Sequence, residues 1–318
     1  MSKVIAWIKL IRFQNLTIII LTQILIKFCL INIFIDNYIL DDYYFLLYLI
    51  ALIFIVAGGY IINDIFDVKT DIVNKKKIIV DKVINKSIAL KTYYLLNIIG
   101  LTSGFYLSYL LKEIMFGFIF LFFVVSLFKY SKKYKKSFII GNLLVSFLTA
   151  LSIINITIFD IIINRTLKNG DLMIIKIILA YSIFSFIITL IREIIKDLED
   201  KEGDLKINAQ TLAIKLGVGI TKRITLVLVV LTMLGIIYFQ YFQYSIINSI
   251  FEYDILIWGC NNISFAYVSL IQIIFLLLCW KIKSAYKKEN FYFISQILKL
   301  IMILGILSIP LFTFLHIN

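Results

Sequence analysis

The chain has 318 residues, of which 62% are hydrophobic and only 16% charged, with a formal net charge of +13. A soluble domain is nearer roughly 45–50% apolar and about 25% charged, so an ordinary soluble globular fold is excluded. The excess of Lys and Arg reads as the loop charge of a membrane protein, not as a nucleic-acid surface.

A helix crossing the bilayer needs about 20 apolar residues. Runs of this kind lie at roughly 13–35, 43–63, 91–110, 113–128, 138–159, 173–195, 223–243, 262–280 and 296–316. The first is too long for a signal-peptide core and lacks a small-residue cleavage site, so it is expected to stay as a helix. The expected fold is all-α: one integral membrane domain over 1–318, a bundle of about nine transmembrane helices enclosing a central cavity. Placing the N-terminus in the cytoplasm puts 26 of the 32 Lys and Arg residues on the cytoplasmic side, counting the residues that flank each span. That asymmetry predicts a multi-pass cell (inner) membrane protein with a cytoplasmic N-terminus.

The second span closes with Asn63-Asp64-Ile65-Phe66-Asp67-Val68-Lys69-Thr70-Asp71. Helical geometry sets Asn63, Asp67 and Asp71 about 40° apart, with Asp64 at the edge of the same arc. The sixth span closes with Arg192-Glu193-Ile194-Ile195-Lys196-Asp197-Leu198-Glu199-Asp200-Lys201-Glu202-Gly203-Asp204. On a continuous helix, Glu193, Asp197, Asp200 and Asp204 would fall within about 60° of one another. Carboxylates about 6 Å apart repel by roughly 1–3 kcal/mol per pair. A hard divalent cation relieves that repulsion, and Mg2+ takes only one or two carboxylates, leaving places for phosphate oxygens. Two acidic clusters on one side of the membrane would thus hold a diphosphate. Arg192 and Lys196 beside the second cluster read equally as salt-bridge partners or phosphate ligands.

These paired motifs, N-D-x-x-D-x-x-x-D and K-D-x-x-D-x-x-x-D, resemble those of the UbiA superfamily of intramembrane prenyltransferases. Thr211-Leu212-Ala213 and Leu216-Gly217 follow the second motif in the same manner. The resemblance implies that Asn63, Asp67, Asp71, Asp200 and Asp204 bind Mg2+, with Asp64 and Asp197 as adjacent acidic positions of the catalytic set. Arg12-Phe13-Gln14-Asn15 is similar to the family's R-P-x-N segment without its proline, which makes Arg12 and Asn15 substrate-binding candidates. Tyr130 and Lys135 match a Y-x-x-x-x-K element, and Asn142 follows in a Gly-Asn pair. The family's N-[KR]-P-x-R-P stretch is replaced by Asn74-Lys75-Lys76-Lys77-Ile78-Ile79-Val80, where Lys75, Lys77 or Lys82 would stand in without the fork of an arginine.

The implied reaction moves a prenyl group from a polyprenyl diphosphate donor, here geranylgeranyl diphosphate, to a hydrophobic acceptor. The motif form is closest to geranylgeranylglyceryl phosphate geranylgeranyltransferases. An aromatic acceptor of quinone synthesis, or haem, is the alternative within the superfamily. A cation transporter would place its charges near mid-membrane, whereas these clusters sit at span ends. A phosphatidyltransferase would need a D-G-x-x-A-R element, which is absent. The only histidine, His316, lies at the far end of the last span and leaves the site without an imidazole base. The cysteines Cys29, Cys260 and Cys279 are scattered and form no metal-type pair.

Overall fold

The structure is a computed structural model that describes residues 2–73, 78–163, 167–247, 259 and 261–317. Among these the chain is helical throughout, apart from turns and a single bridge between Val80 and Ile84. The helices are α1 Lys3–Leu10, α2 Phe13–Leu25, α3 Asp42–Val73, α4 Lys86–Leu110, α5 Gly117–Lys132 and α6 Ile140–Thr157. They continue with α7 Asn169–Glu199, α8 Lys201–Lys206, α9 Leu212–Lys215, α10 Gly217–Ile247, α11 Asn262–Ser284 and α12 Lys288–Ile317. Two π-helical turns extend this set: Ile26–Ile31 prolongs α2, and Ile158–Ile162 prolongs α6.

The expected spans correspond to helices in the same order. Among the described residues, 8 helices are long and apolar enough to cross a membrane. The remaining expected span, 91–110, lies in α4, which runs 25 residues but carries Lys86, Lys91, Asn97 and several hydroxyl side chains. Large apolar side chains such as Leu231, Leu276 and Trp280 are exposed, which suits a surface bathed in lipid.

The chain divides into two compact units, one formed by Met1–Gln23, Ile39–Leu148 and Asp200–Lys215, the other by Ile24–Tyr38, Thr149–Glu199 and Leu216–Asn318.

The first unit is built on the pairing of α3 with α4, joined by α5. Close approach of α3 and α4 depends on small residues, as expected of helices packed in a membrane. A Cβ on Gly58 would lie 2.6 Å from Nδ2 of Asn97, and one on Gly100 would lie 2.7 Å from Cγ1 of Ile55. α1 folds back on the end of α3, where Ala6 and Leu10 join Ile61, Ile62 and Ile65 in a buried cluster with Val80, Ile84 and Tyr93. With 32 residues, α3 is about 48 Å long. It exceeds a hydrocarbon core of about 30 Å, and the first acidic motif lies toward its C-terminal end.

In the second unit, α7 packs on α12 and α10. The hydroxyl groups of Tyr181 and Ser308 hydrogen-bond at 2.7 Å, and the Ser182 hydroxyl donates to the Ala150 carbonyl at 2.8 Å. The most enclosed charges of this unit are Lys27 and Asp160, one in each π-helical turn. Nζ of Lys27 donates to Asp160 Oδ2 at 2.6 Å, and the side chains are 1% and 0% exposed. The same ammonium sits 4.0 Å from the centre of the Tyr38 ring, so it is screened by a carboxylate and an aromatic face together.

Candidate active site

The first motif is carried whole by the end of α3. One helical turn separates Asn63 from Asp67, and Nδ2 of Asn63 donates to Asp67 Oδ2 at 2.7 Å. Asp67 is only 5% exposed. A carboxylate this enclosed needs charged or hydrogen-bonding partners, and Lys135 supplies one by donating its Nζ to the same Oδ2 atom. Lys135 stands on the short helical turn Tyr134–Lys136 that follows α5. The turn is held close: a Cβ on Gly141 would lie 2.5 Å from the Tyr134 carbonyl oxygen.

Arg12 comes to the same end of α3 from the junction of α1 and α2. Its backbone has φ 51, a left-handed conformation that costs a non-glycine residue about 1–3 kcal/mol. That bend brings its guanidinium over the Tyr60 ring, 5.0 Å from the centroid, and Nη2 to 3.2 Å from Asp64 Oδ1. Burial alone would lower the guanidinium pKa. The charges of Asp64, Tyr60, Asp67 and Tyr130 outweigh it and raise the pKa above its ordinary value. Tyr60 was not among the residues singled out in the sequence. Its position one turn before Asp64, level with an arginine that must enter from α1, is the signal that marks it.

The second motif is not one continuous helix. α7 ends at Glu199, and Asp200, with φ −93 and ψ 3, caps the separate helix α8. The common face projected for Glu193, Asp197, Asp200 and Asp204 is therefore broken at Asp200. Asp200 and Asp204 belong to the first unit with Asn63, Asp67 and Asp71, whereas Arg192, Glu193, Lys196 and Asp197 belong to the second. Within the first unit α8 packs against α3. Beyond α8 the chain returns to the Lys135 turn: the Gln210 N–H donates to the Lys136 carbonyl at 2.8 Å, and the Ala209 N–H to the Asp204 carbonyl at 3.0 Å. The turn that sends Lys135 to Asp67 is thus bonded through its next residue to the strand of chain leaving the second motif.

The other expected residues are placed as follows. Asn15 is half-buried, and its N–H donates to the Arg12 carbonyl at 2.8 Å. Tyr130 lies within electrostatic reach of Arg12. Asn142 is buried at the start of α6, where its carbonyl accepts from the Ser146 hydroxyl at 2.7 Å. Asp71 is half-buried on the last turn of α3. Lys82 is exposed on the turn after Val80, and Lys75 and Lys77 lie outside the described residues. In the second unit Glu193 receives Lys196 and has Arg192 Nη1 at 3.7 Å.

The donor set suits a hard cation. Oδ1 of Asn63 is buried without a hydrogen-bond partner, and the side chains gathered in this unit offer amide and carboxylate oxygens alone. Among the described residues no three His, Cys, Asp or Glu side chains close into a metal cage. An ion here would complete its shell from phosphate and water, which is the habit of Mg2+.

The UbiA prenyltransferase family profile matches residues 27–297. The digeranylgeranylglyceryl phosphate synthase of Saccharolobus solfataricus is 36% identical over 189 residues, 57% of this chain and 59% of that protein. The protein of the same name from Methanobrevibacter smithii is 33% identical over 211 residues, 64% of this chain and 71% of that protein. The match thus spans well under two thirds of the first relative's length and somewhat more of the second's. A solved structure described as giving structural and mechanistic insights into digeranylgeranylglyceryl phosphate synthase in membranes superposes with a TM-score of 0.61 at 27% identity. It covers 98% of this chain and 99% of that one. A UbiA homologue from Aeropyrum pernix K1 shares the fold with a TM-score of 0.60 at 12% identity, covering 92% of this chain and 95% of that one.

Proposed function

The chain belongs to the UbiA prenyltransferase family, and from that premise we propose that it transfers a prenyl group from a polyprenyl diphosphate to a lipid acceptor. The donor is geranylgeranyl diphosphate and the acceptor geranylgeranylglyceryl phosphate, as the names of the relatives suggest. The family match runs through both compact units, which supports a single catalytic domain over 1–318. The concentration of Lys and Arg beside the acidic motifs supports a cytoplasmic site and N-terminus in a multi-pass cell membrane.

The observation that carries this reading is the shared anchoring of both motifs at the Lys135 turn. Its ammonium holds Asp67, and its next carbonyl holds the segment that follows Asp204. Asn63, Asp67, Asp71, Asp200 and Asp204 would hold Mg2+. When bound, the ion supplies positive charge for the diphosphate oxygens. Lys135 and Arg12 are the cations of the protein itself at this end of α3. Each is tied to a carboxylate, which fixes its charge before substrate arrives. In the reaction the bond between prenyl C1 and the diphosphate oxygen breaks, with the electron pair leaving on the diphosphate. The acceptor hydroxyl oxygen forms the new bond to C1, and its proton leaves with the diphosphate. Fixed cations favour the separating charge more than the intact donor. Asp64 holds Arg12 in place, and the enclosing apolar helices keep water from the allylic centre.

Purified protein in nanodiscs, given labelled geranylgeranyl diphosphate and a panel of acceptors, tests the reading. Transfer to the phosphorylated glyceryl ether is expected. Transfer confined to a hydroxynaphthoate or to haem would overturn the acceptor assignment.

A further inference from the structure

Among the described residues of the first unit, two buried uncharged side chains hold an oxygen with no hydrogen-bond partner: Asn63, through Oδ1, and Thr211, through Oγ1. Asn63 opens the first acidic motif, and its amide oxygen suits the metal. Thr211 belongs to neither motif. Its segment, Thr211-Leu212-Ala213, resembles the family's, but no role comes with that resemblance. Thr211 is 2% exposed, and a hydroxyl enclosed to this degree without a partner is costly.

The chain is fixed on both sides of Thr211. α8 ends at Lys206, and Asn208, with φ 54, turns the backbone through the left-handed region that asparagine enters more readily than most residues. The Ala209 N–H then donates to the Asp204 carbonyl at 3.0 Å, and the Gln210 N–H to the Lys136 carbonyl at 2.8 Å. Beyond Thr211, Nζ of Lys215 stands 5.7 Å from the centre of the Phe138 ring. Thr211 is thus bracketed between the last aspartate of the second motif and the turn that carries Lys135, whose ammonium holds Asp67. Helix capping does not occupy the hydroxyl. The Ile214 and Lys215 N–H groups both donate to the Thr211 carbonyl oxygen, and Oγ1 takes no part.

A hydroxyl offers what the ionised carboxylates of the two motifs lack, a hydrogen to donate. Carboxylates reach a phosphate oxygen only through a cation, whereas a hydroxyl bonds to it directly. Taken with the proposed reaction, on which this assignment rests, we infer that the Thr211 hydroxyl donates a hydrogen bond to a diphosphate oxygen of the prenyl donor. Such a bond to a charged acceptor is stronger than one between neutral groups. Thr211 therefore acts on the binding of the donor diphosphate. It has no part in holding the acceptor or the metal.

The test uses the full chain in nanodiscs with Mg2+, and two probes: inorganic diphosphate, read as Kd by calorimetry, and geranylgeranyl diphosphate, read as donor KM. Thr211→Val keeps the shape of the side chain and removes its hydroxyl. It is expected to raise both constants by about tenfold or more, the scale of one hydrogen bond to a charged group. The acceptor KM and the Mg2+ concentration for half-maximal rate are expected to stay within twofold. Thr211→Ser is expected to recover most of both losses. Without ligand, the thermal midpoint of Thr211→Val is expected to equal or exceed that of wild type, because an unpaired buried group has been removed. An unmoved Kd, a shifted Mg2+ curve, or failure of the Ser variant to rescue would overturn the assignment. So would a fall in the ligand-free midpoint that Ser reverses, since the hydroxyl would then be used within the protein. Should Thr211→Val not assemble, Thr211→Ala carries the same binding readouts. A wild-type protein that binds no diphosphate defeats the proposed reaction and this assignment together. Normal wild-type binding and transfer with an unaltered Val variant defeats the assignment alone.

Discussion

Lys135 and Asn63 donate to one and the same oxygen of Asp67, Oδ2, from segments 68 and 4 residues away. A helix-end carboxylate is thereby clamped by a charge from another helix. Removing that carboxylate's charge while keeping its shape isolates its role. Asp67→Asn is expected to lower prenyl transfer by at least ~10²-fold, the scale of losing one preorganised electrostatic contact. The thermal midpoint should shift by only a few degrees. Wild-type turnover in this variant, measured with labelled donor, would remove Asp67 from the site.

Asn63 gives a second, metal-directed prediction. Its amide oxygen is buried with no hydrogen-bond partner, while its amide nitrogen holds Asp67. Chelation is expected to abolish transfer and added Mg2+ to restore it. Asn63→Ala is expected to raise the Mg2+ concentration for half-maximal rate by about tenfold or more, in the range found for groups that support metal sites. A metal titration of wild type and variant decides the matter, and identical curves would count against Asn63 as a ligand.

Arg12 separates stability from activity. Its left-handed backbone would be relaxed by glycine, yet glycine cannot reach Asp64. Arg12→Gly is expected to leave the thermal midpoint nearly unchanged or slightly raised and to cut transfer sharply. Arg12→Lys should retain more activity but lack the planar contact with Tyr60.

The ionisation of Arg12 fixes a further sign. Its pKa is raised above the ordinary guanidinium value. The stability it contributes is therefore fully present below that ordinary value, and it is lost only when pH climbs through the still higher folded value. No inflection from Arg12 is expected in stability or rate near neutrality. A pH–rate profile that keeps the same inflections in wild type and Arg12→Lys agrees with this.

The buried pair Lys27–Asp160 predicts an asymmetric mutational pattern. Lys27→Met alone strands a carboxylate that is 0% exposed, at a cost of about 3–5 kcal/mol. The double variant Lys27→Met with Asp160→Leu is expected to recover most of that loss, because replacing a whole buried pair by apolar groups is close to neutral. Thermal midpoints of the three proteins in detergent supply the comparison. A double variant less stable than Lys27→Met would contradict it.

Much of this architecture was legible in the sequence because lipid leaves few options: apolar runs long enough to span must become helices. The first motif was readable for the same reason, since α3 continues unbroken through Asp71 and the 3.6-residue period holds. The second motif was read less well. Its spacing presupposes one helix, but the chain breaks at Asp200, where no proline or glycine announces the break. The left-handed turn at Arg12 was equally hidden, because an arginine has no intrinsic preference for it. Lys135 could be named from its spacing to Tyr130. Its partner Asp67 depends on tertiary packing and could not.

The Lys27–Asp160 pair also bears on how the chain is made. Synthesis begins at the N-terminus, so Lys27 emerges 133 residues ahead of its counter-ion. Through that interval the helix that carries Lys27 lacks the carboxylate that later faces it. The pair can close only after the segment ending in Asp160 has left the ribosome. On this account the helix that carries Lys27 locks only once α6 and its π-helical turn have been made, and a nascent chain arrested before Asp160 should leave Lys27 open to water-borne reagents.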